Sequence, residues 1–178
     1  MINTPANICY NICMPKKVSK YYAFRSNPHK ANMRIMLNST MIGVLFFILT
    51  LILATGANKF DLIIIAQVVL AIPLLYVSIL AYTKIAFWEE TKMWDVYGWA
   101  TTYAGNTLLL NAIGLIAYSI NEHLAVAYFA LLLLLMYSYS IINISYSKKT
   151  VRPKLWKFSF FLIICFLGGI LPLILKML

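Results

Sequence analysis

Residues 62–81 read LIIIAQVVLAIPLLYVSILA, twenty residues without a charge, with Asp61 immediately before them and Lys84 shortly after. A helix of that length rises about 30 Å, which matches the hydrocarbon thickness of a bilayer. Four more apolar stretches of similar length lie on either side, at about 35–54, 99–120, 123–146 and 158–175. The fold this implies is all-α: a polytopic membrane protein with five transmembrane helices. Composition agrees, since 62% of the 178 residues are hydrophobic and 11% are charged, against roughly a quarter charged in a soluble domain. Five spans consume most of the chain and leave loops too short for a second folded unit, which argues against a separate soluble catalytic domain.

Thirteen of the fifteen Lys and Arg residues fall in segments that share one side of such a bundle. Six precede the first stretch, two lie between the second and third, and five between the fourth and fifth; Lys59 and Lys176 lie elsewhere. Cytoplasmic flanks of membrane helices carry the Lys/Arg excess, so the pattern places the N-terminus in the cytosol and the C-terminus outside. The expected location is a cell (cytoplasmic or inner) membrane. The net charge of +10 then follows from topology and from anionic lipid headgroups on the cytoplasmic side, and no direct nucleic-acid binding is expected. The apolar run of the first span is too long for a signal-peptide core, so it should remain as an anchor.

Residues 1–34 form a basic cytoplasmic or interfacial tail in which Tyr21, Tyr22 and Phe24 interleave with the cations. Pro28 disfavours helix at Asn27, so any surface helix there should end and restart before the first span. Residues of about 86–97 place Phe87, Trp88, Thr91 and Trp94 at helical spacing, the pattern of a short amphipathic helix lying in the membrane interface. Pro73, inside the second stretch, should bend it. The fifth stretch is uniformly apolar until Gly168-Gly169 and Pro172, which suits a lipid-facing helix.

The third span is the least apolar and carries Thr102, Asn106, Thr107 and Asn111 together with Gly98, Gly105 and Gly114. Small and hydrogen-bonding residues let membrane helices approach and join, so this helix should be central. The hairpin of the first two spans and that of the third and fourth share features that suggest a duplication. Each has an acid near the start of the returning helix, Asp61 or Glu122, and each ends in a Tyr-hydroxyl-Lys triplet, Tyr82-Thr83-Lys84 or Tyr146-Ser147-Lys148.

Chemistry is sparse. No ionisable residue stands in the middle of a span, where it would mark a proton relay or a voltage sensor. His29 and His123 fall on opposite sides, and Cys9, Cys13 and Cys165 do not make a disulfide framework or a metal site, so no cofactor or metal is expected. The reading is a small non-catalytic membrane protein acting by interaction, in the manner of an accessory, immunity or defence-system component. It would form a homo-oligomer through the polar third helix and dock a soluble cytosolic protein on Trp88, Glu89, Glu90, Trp94, Lys148, Lys149, Arg152 and Lys154. The first alternative is an oligomeric channel or small-solute facilitator lined by Gln67, Thr102, Asn106, Thr107, Asn111 and Asn143. The second is a membrane-embedded enzyme acting on lipid through Glu89, Glu90 and Asp95.

Overall fold

The computed structural model describes residues 28–87, 92–146 and 151–177. Helix α1 (Pro28–Thr55) leads through a 3-10 turn (Ala57–Lys59) to α2 (Leu62–Ala86). Then follow α3 (Lys92–Ile120), α4 (Glu122–Tyr146) and α5 (Val151–Cys165), which continues through a π-helical turn (Phe166–Ile170) into α6 (Leu171–Met177). Five of these stretches are long and apolar enough to cross a membrane: His29–Thr55, Leu62–Ala86, Met93–Ile120, Glu122–Ser145 and Lys154–Met177. This is the structure of a multi-pass membrane protein. Only helices or closed barrels satisfy every backbone polar group in lipid, and the described residues are 96% helix.

Helix starts and stops follow local chemistry. Pro28 opens α1, the position where a missing N–H costs nothing. Gly56, with φ of 97°, lies in the left-handed region that a side chain disfavours, and it reverses the chain between α1 and α2. The turn between α3 and α4 is as tight as its sequence implies. Asn121 accepts a hydrogen bond on Oδ1 from the His123 backbone N–H at 2.8 Å, the N-cap arrangement that satisfies a free helix donor.

Helix α3 is central, as its small and polar residues imply. One side meets α1 and α2 in a core of Leu45, Ile52, Ile64, Val68, Ala71, Leu75, Leu109, Ala112 and Leu115. The other side supplies Leu110, Ala117 and Tyr118 to a second core built on Ala125, Phe129, Phe161, Cys165 and Leu173. In the most apolar window of α3, 39% of residues are buried, against 17% in the windows of α1 and of α4. Glycines set these approaches. A Cβ on Gly105 would fall 2.8 Å from Leu75 Cδ2, and one on Gly98 3.2 Å from Ala81 Cβ, both closer than ordinary carbon contacts of about 3.5–4.0 Å.

Three expectations take a different form. Residues 92–97, expected in an interfacial helix, are the first turns of α3, and residue 86 closes α2; residues 88–91 lie outside the described residues. Likewise residues 151–157 begin α5 rather than extending the basic loop. The fifth span is lipid-facing on one side only, since Phe161, Cys165 and Leu173 are at most 5% exposed. Its glycines explain why: the two notches at Gly168 and Gly169 admit side chains from α2, α3 and α4, a role that uniform apolarity conceals. Helix α2 runs through Pro73 as a single element.

Candidate functional site

The polar groups of the bundle gather in three layers. The first lies at the end where α1 and α3 begin and α2 finishes. There Arg34 Nη1 donates to the Tyr82 hydroxyl at 2.6 Å and stands 3.5 Å from Asp95 Oδ1, with its guanidinium carbon 4.9 Å from the Tyr82 ring centroid. The Asp95 side chain is 8% exposed and that of Arg34 36%. The carboxylate is thus the buried partner, while the long arginine reaches it from the rim. Beside them Lys157 Nζ lies 5.1 Å from the Trp99 ring centroid, and Trp99 packs against Tyr103 and Phe160 at 5.0 and 5.6 Å. This layer ties α1, α2, α3 and α5 together.

One helical turn further in, Asn38 of α1 donates through Nδ2 to the hydroxyls of Ser78 and Thr102 at 3.0 and 3.1 Å. Both hydroxyls also lie 2.8 Å from the Gly98 carbonyl. Asn38 and Ser78 are fully buried, so each hydrogen bond forms away from water and lipid. Three helices meet at this node because Gly98 lets α2 come close enough for Ser78 to reach the α3 backbone.

The third layer is at the π turn. Pro172 has no N–H, so the Gly168 carbonyl four residues earlier lacks its α-helical donor. Gln67 Nε2 of α2 donates to that carbonyl at 2.5 Å, and Asn111 Nδ2 of α3 donates to the Ile164 carbonyl at 3.1 Å. The π turn and the end of α5 that leads into it are therefore bonded from two neighbouring helices. A Cβ at Gly168 would fall 2.5 Å from Asn111 Nδ2, so the absence of a side chain there is what admits the amide. Between this layer and the Asn38 node stand Ala71, Leu75 and Leu109, all buried in the apolar core.

The residues expected to line a path or an assembly seam are thus divided. Gln67 and Asn111 meet at the π turn; Thr102 joins the Asn38 node. Thr107 bonds the Tyr103 carbonyl of its own helix at 2.7 Å, and Asn106 is half-buried with its Oδ1 enclosed. The backbone carbonyl of Asn143, near the end of α4, accepts a hydrogen bond from Lys154 Nζ, which satisfies one of the helix's free carbonyls. Asn38 and Ser78 were missed, although an Asn inside an apolar span is a recognisable signal.

Of the residues expected at a docking face, Trp94 is 37% exposed, beside the exposed Met93 and Tyr97 on the first turns of α3, and Trp156 is exposed on α5. Trp88, Glu89, Glu90, Lys148 and Lys149 lie outside the described residues, as does the Arg152 side chain. At the opposite end, Lys176 pairs with Asp61 and lies 5.4 Å from the Tyr118 ring centroid, fixing the end of the fifth span to the start of the second.

No protein-family model, curated protein or solved structure matches the chain.

Proposed function

We propose that this chain is a non-catalytic membrane protein that acts by interaction, with a docking surface for a soluble cytosolic protein at the Arg34 end of the bundle. The observation that carries this reading is how the intramembrane polar groups are used. Asn38, Ser78 and Thr102 bond to one another, Gln67 bonds the π turn, and Asn111 bonds the end of α5. With these side chains joining helices of one subunit, and Ala71, Leu75 and Leu109 packed between the layers, a rigid scaffold is a better account than a solute path. Trp94, Tyr97 and Trp156 are exposed at this end, and the cationic segments adjoin in sequence the helices that begin or finish there.

In this proposal the Arg34 end faces the cytosol, because Lys/Arg excess marks that side, and the membrane is a cytoplasmic-type one. The two hairpins are read as a duplication on their matching acids and Tyr-hydroxyl-Lys triplets. Self-association is assigned to α4, whose Tyr137, Ser138 and Tyr139 are exposed, rather than to the inward-turned groups of α3.

The test is purification of the tagged chain from its native membrane in mild detergent, followed by mass determination of the complex and identification of what accompanies it. A stoichiometric soluble protein, lost when Lys148, Lys149, Arg152 and Lys154 are changed to Gln, is the expected result. A symmetric oligomer that carries no other protein and conducts ions in vesicles overturns it.

A further inference from the structure

A groove of about 320 Å³ runs along the outside of the α2–α3 pair, lined by Leu70, Pro73, Leu74, Val77, Tyr97, Thr101 and Leu108. It belongs to none of the polar layers. Its walls are apolar except at Tyr97 and Thr101, and the Thr101 hydroxyl is occupied by the Tyr97 carbonyl of its own helix at 2.9 Å.

Position along the helices gives its depth. From Tyr97 to Leu108 the lining of α3 extends about 17 Å at 1.5 Å per residue, close to one leaflet's half of a hydrocarbon core of roughly 30 Å. The deep end, at Leu70 and Leu108, is near the middle of both spans. The shallow end, at Val77 and Tyr97, points toward the end of the bundle that holds Arg34 and Asp95.

The same helix faces continue past the shallow end. Helical periodicity carries Leu70, Leu74 and Val77 on to Leu80 and Lys84, and carries Leu108, Thr101 and Tyr97 on to Trp94. Leu80, Lys84, Trp94 and Tyr97 are all exposed. An apolar slot one leaflet deep thus opens beneath a cation and two amphipathic rings, whose preferred level is the headgroup region. Lys84 also has a partner within the chain.

We propose that this groove binds one acyl chain of an anionic phospholipid, with the lipid phosphate at the level of Lys84, Trp94 and Tyr97. The slot selects for a chain by shape and for the headgroup by charge. Depth and charge at this face match the same molecule.

The full chain, delipidated in mild detergent, is titrated with phosphatidylglycerol and with phosphatidylcholine of identical chains, and bound lipids are counted by native mass spectrometry. One tightly held phosphatidylglycerol is expected, with about tenfold preference over phosphatidylcholine. Lys84→Gln should remove most of the preference but keep the adduct, and Val77→Trp, which fills the slot, should remove the adduct. In the unmodified chain in phosphatidylglycerol vesicles, a photoactivatable acyl chain should label Leu70, Leu74 or Leu108. Equal retention of the two lipids overturns the proposal, as does labelling confined to the exposed face of α4. A dimer that persists without lipid and protects Val77 from labelling would give the groove to a second copy instead.

Discussion

Phe129 of α4 stands between two glycines, and the bundle should respond strongly to a single methyl group on either side of it. A Cβ on Gly114 would fall 2.5 and 2.6 Å from Phe129 Cζ and Cε2, and one on Gly169 would fall 2.6 and 2.7 Å from Cε1 and Cζ. Ordinary carbon contacts are about 3.5–4.0 Å, so each methyl overlaps the ring by about 1 Å. The ring is 3% exposed and has a notch on each side, so moving away from one methyl drives it toward the other helix. Overpacking of this kind costs about 1–3 kcal/mol, offset in part by the 0.5–1 kcal/mol or so that Ala gains over Gly in a helix. Gly114→Ala should therefore lose about 1–2 kcal/mol. Gly43→Ala is the control, because no atom lies within 4 Å of its Cβ position, and it should be neutral or slightly stabilising. The assay is unfolding in mixed dodecyl maltoside and SDS micelles, followed by circular dichroism. In a Phe129→Leu background the Gly114→Ala penalty should fall by about half or more, since the two closest ring atoms are gone and the 3.0 Å approach to Tyr128 Cδ1 remains. If Gly114→Ala matches Gly43→Ala, or keeps its full penalty without the ring, the packing argument fails.

Three other outcomes follow from the polar layers. Asn38→Leu should cost about 1 kcal/mol in the same unfolding assay, from two interhelical hydrogen bonds at about 0.6 kcal/mol each. Arg34→Gln should destabilise more than Asp95→Asn, because the first leaves a buried carboxylate short of its cation and the second leaves a cation that can reach solvent; unfolding midpoints of the two variants decide this. Gln67→Leu should cost about 0.6–1.7 kcal/mol and distinctly less in a Pro172→Ala background, where the new backbone N–H can serve the Gly168 carbonyl; a double-mutant cycle measures the difference.

Much of the architecture is legible in the chain because the bilayer is a demanding solvent. Unpaired backbone is excluded from it, so an apolar run of about twenty residues has one helical solution, and the five spans follow from hydropathy alone. The centrality of α3 was equally readable, since Gly98, Gly105, Gly114 and the Asn and Thr residues have no reason to face lipid. The tight turn at Asn121 was written in its length, since two residues separate the third and fourth stretches.

Which groups those polar residues meet was decided by the tertiary structure. Ser78 and Gly98 are twenty residues apart and Gln67 and Gly168 are 101 apart, and no local pattern pairs residues at such separations. The fifth span looked lipid-facing because hydropathy measures a side chain's solvent and not its neighbours; the Gly168 and Gly169 notches acquire meaning only when Asn111 and Phe129 are brought against them. The helix boundaries near residues 92 and 151 likewise belong to tertiary packing, which extends α3 and α5 beyond their apolar cores by holding Asp95 against Arg34 and Lys154 against the end of α4. The sequence by itself determined that this protein is a five-span helical bundle, through the cost of exposing backbone to lipid. The tertiary structure decided that Asn38, Ser78, Thr102, Gln67 and Asn111 serve as joints between helices, because only contact between distant segments gives their amides and hydroxyls a partner on another helix.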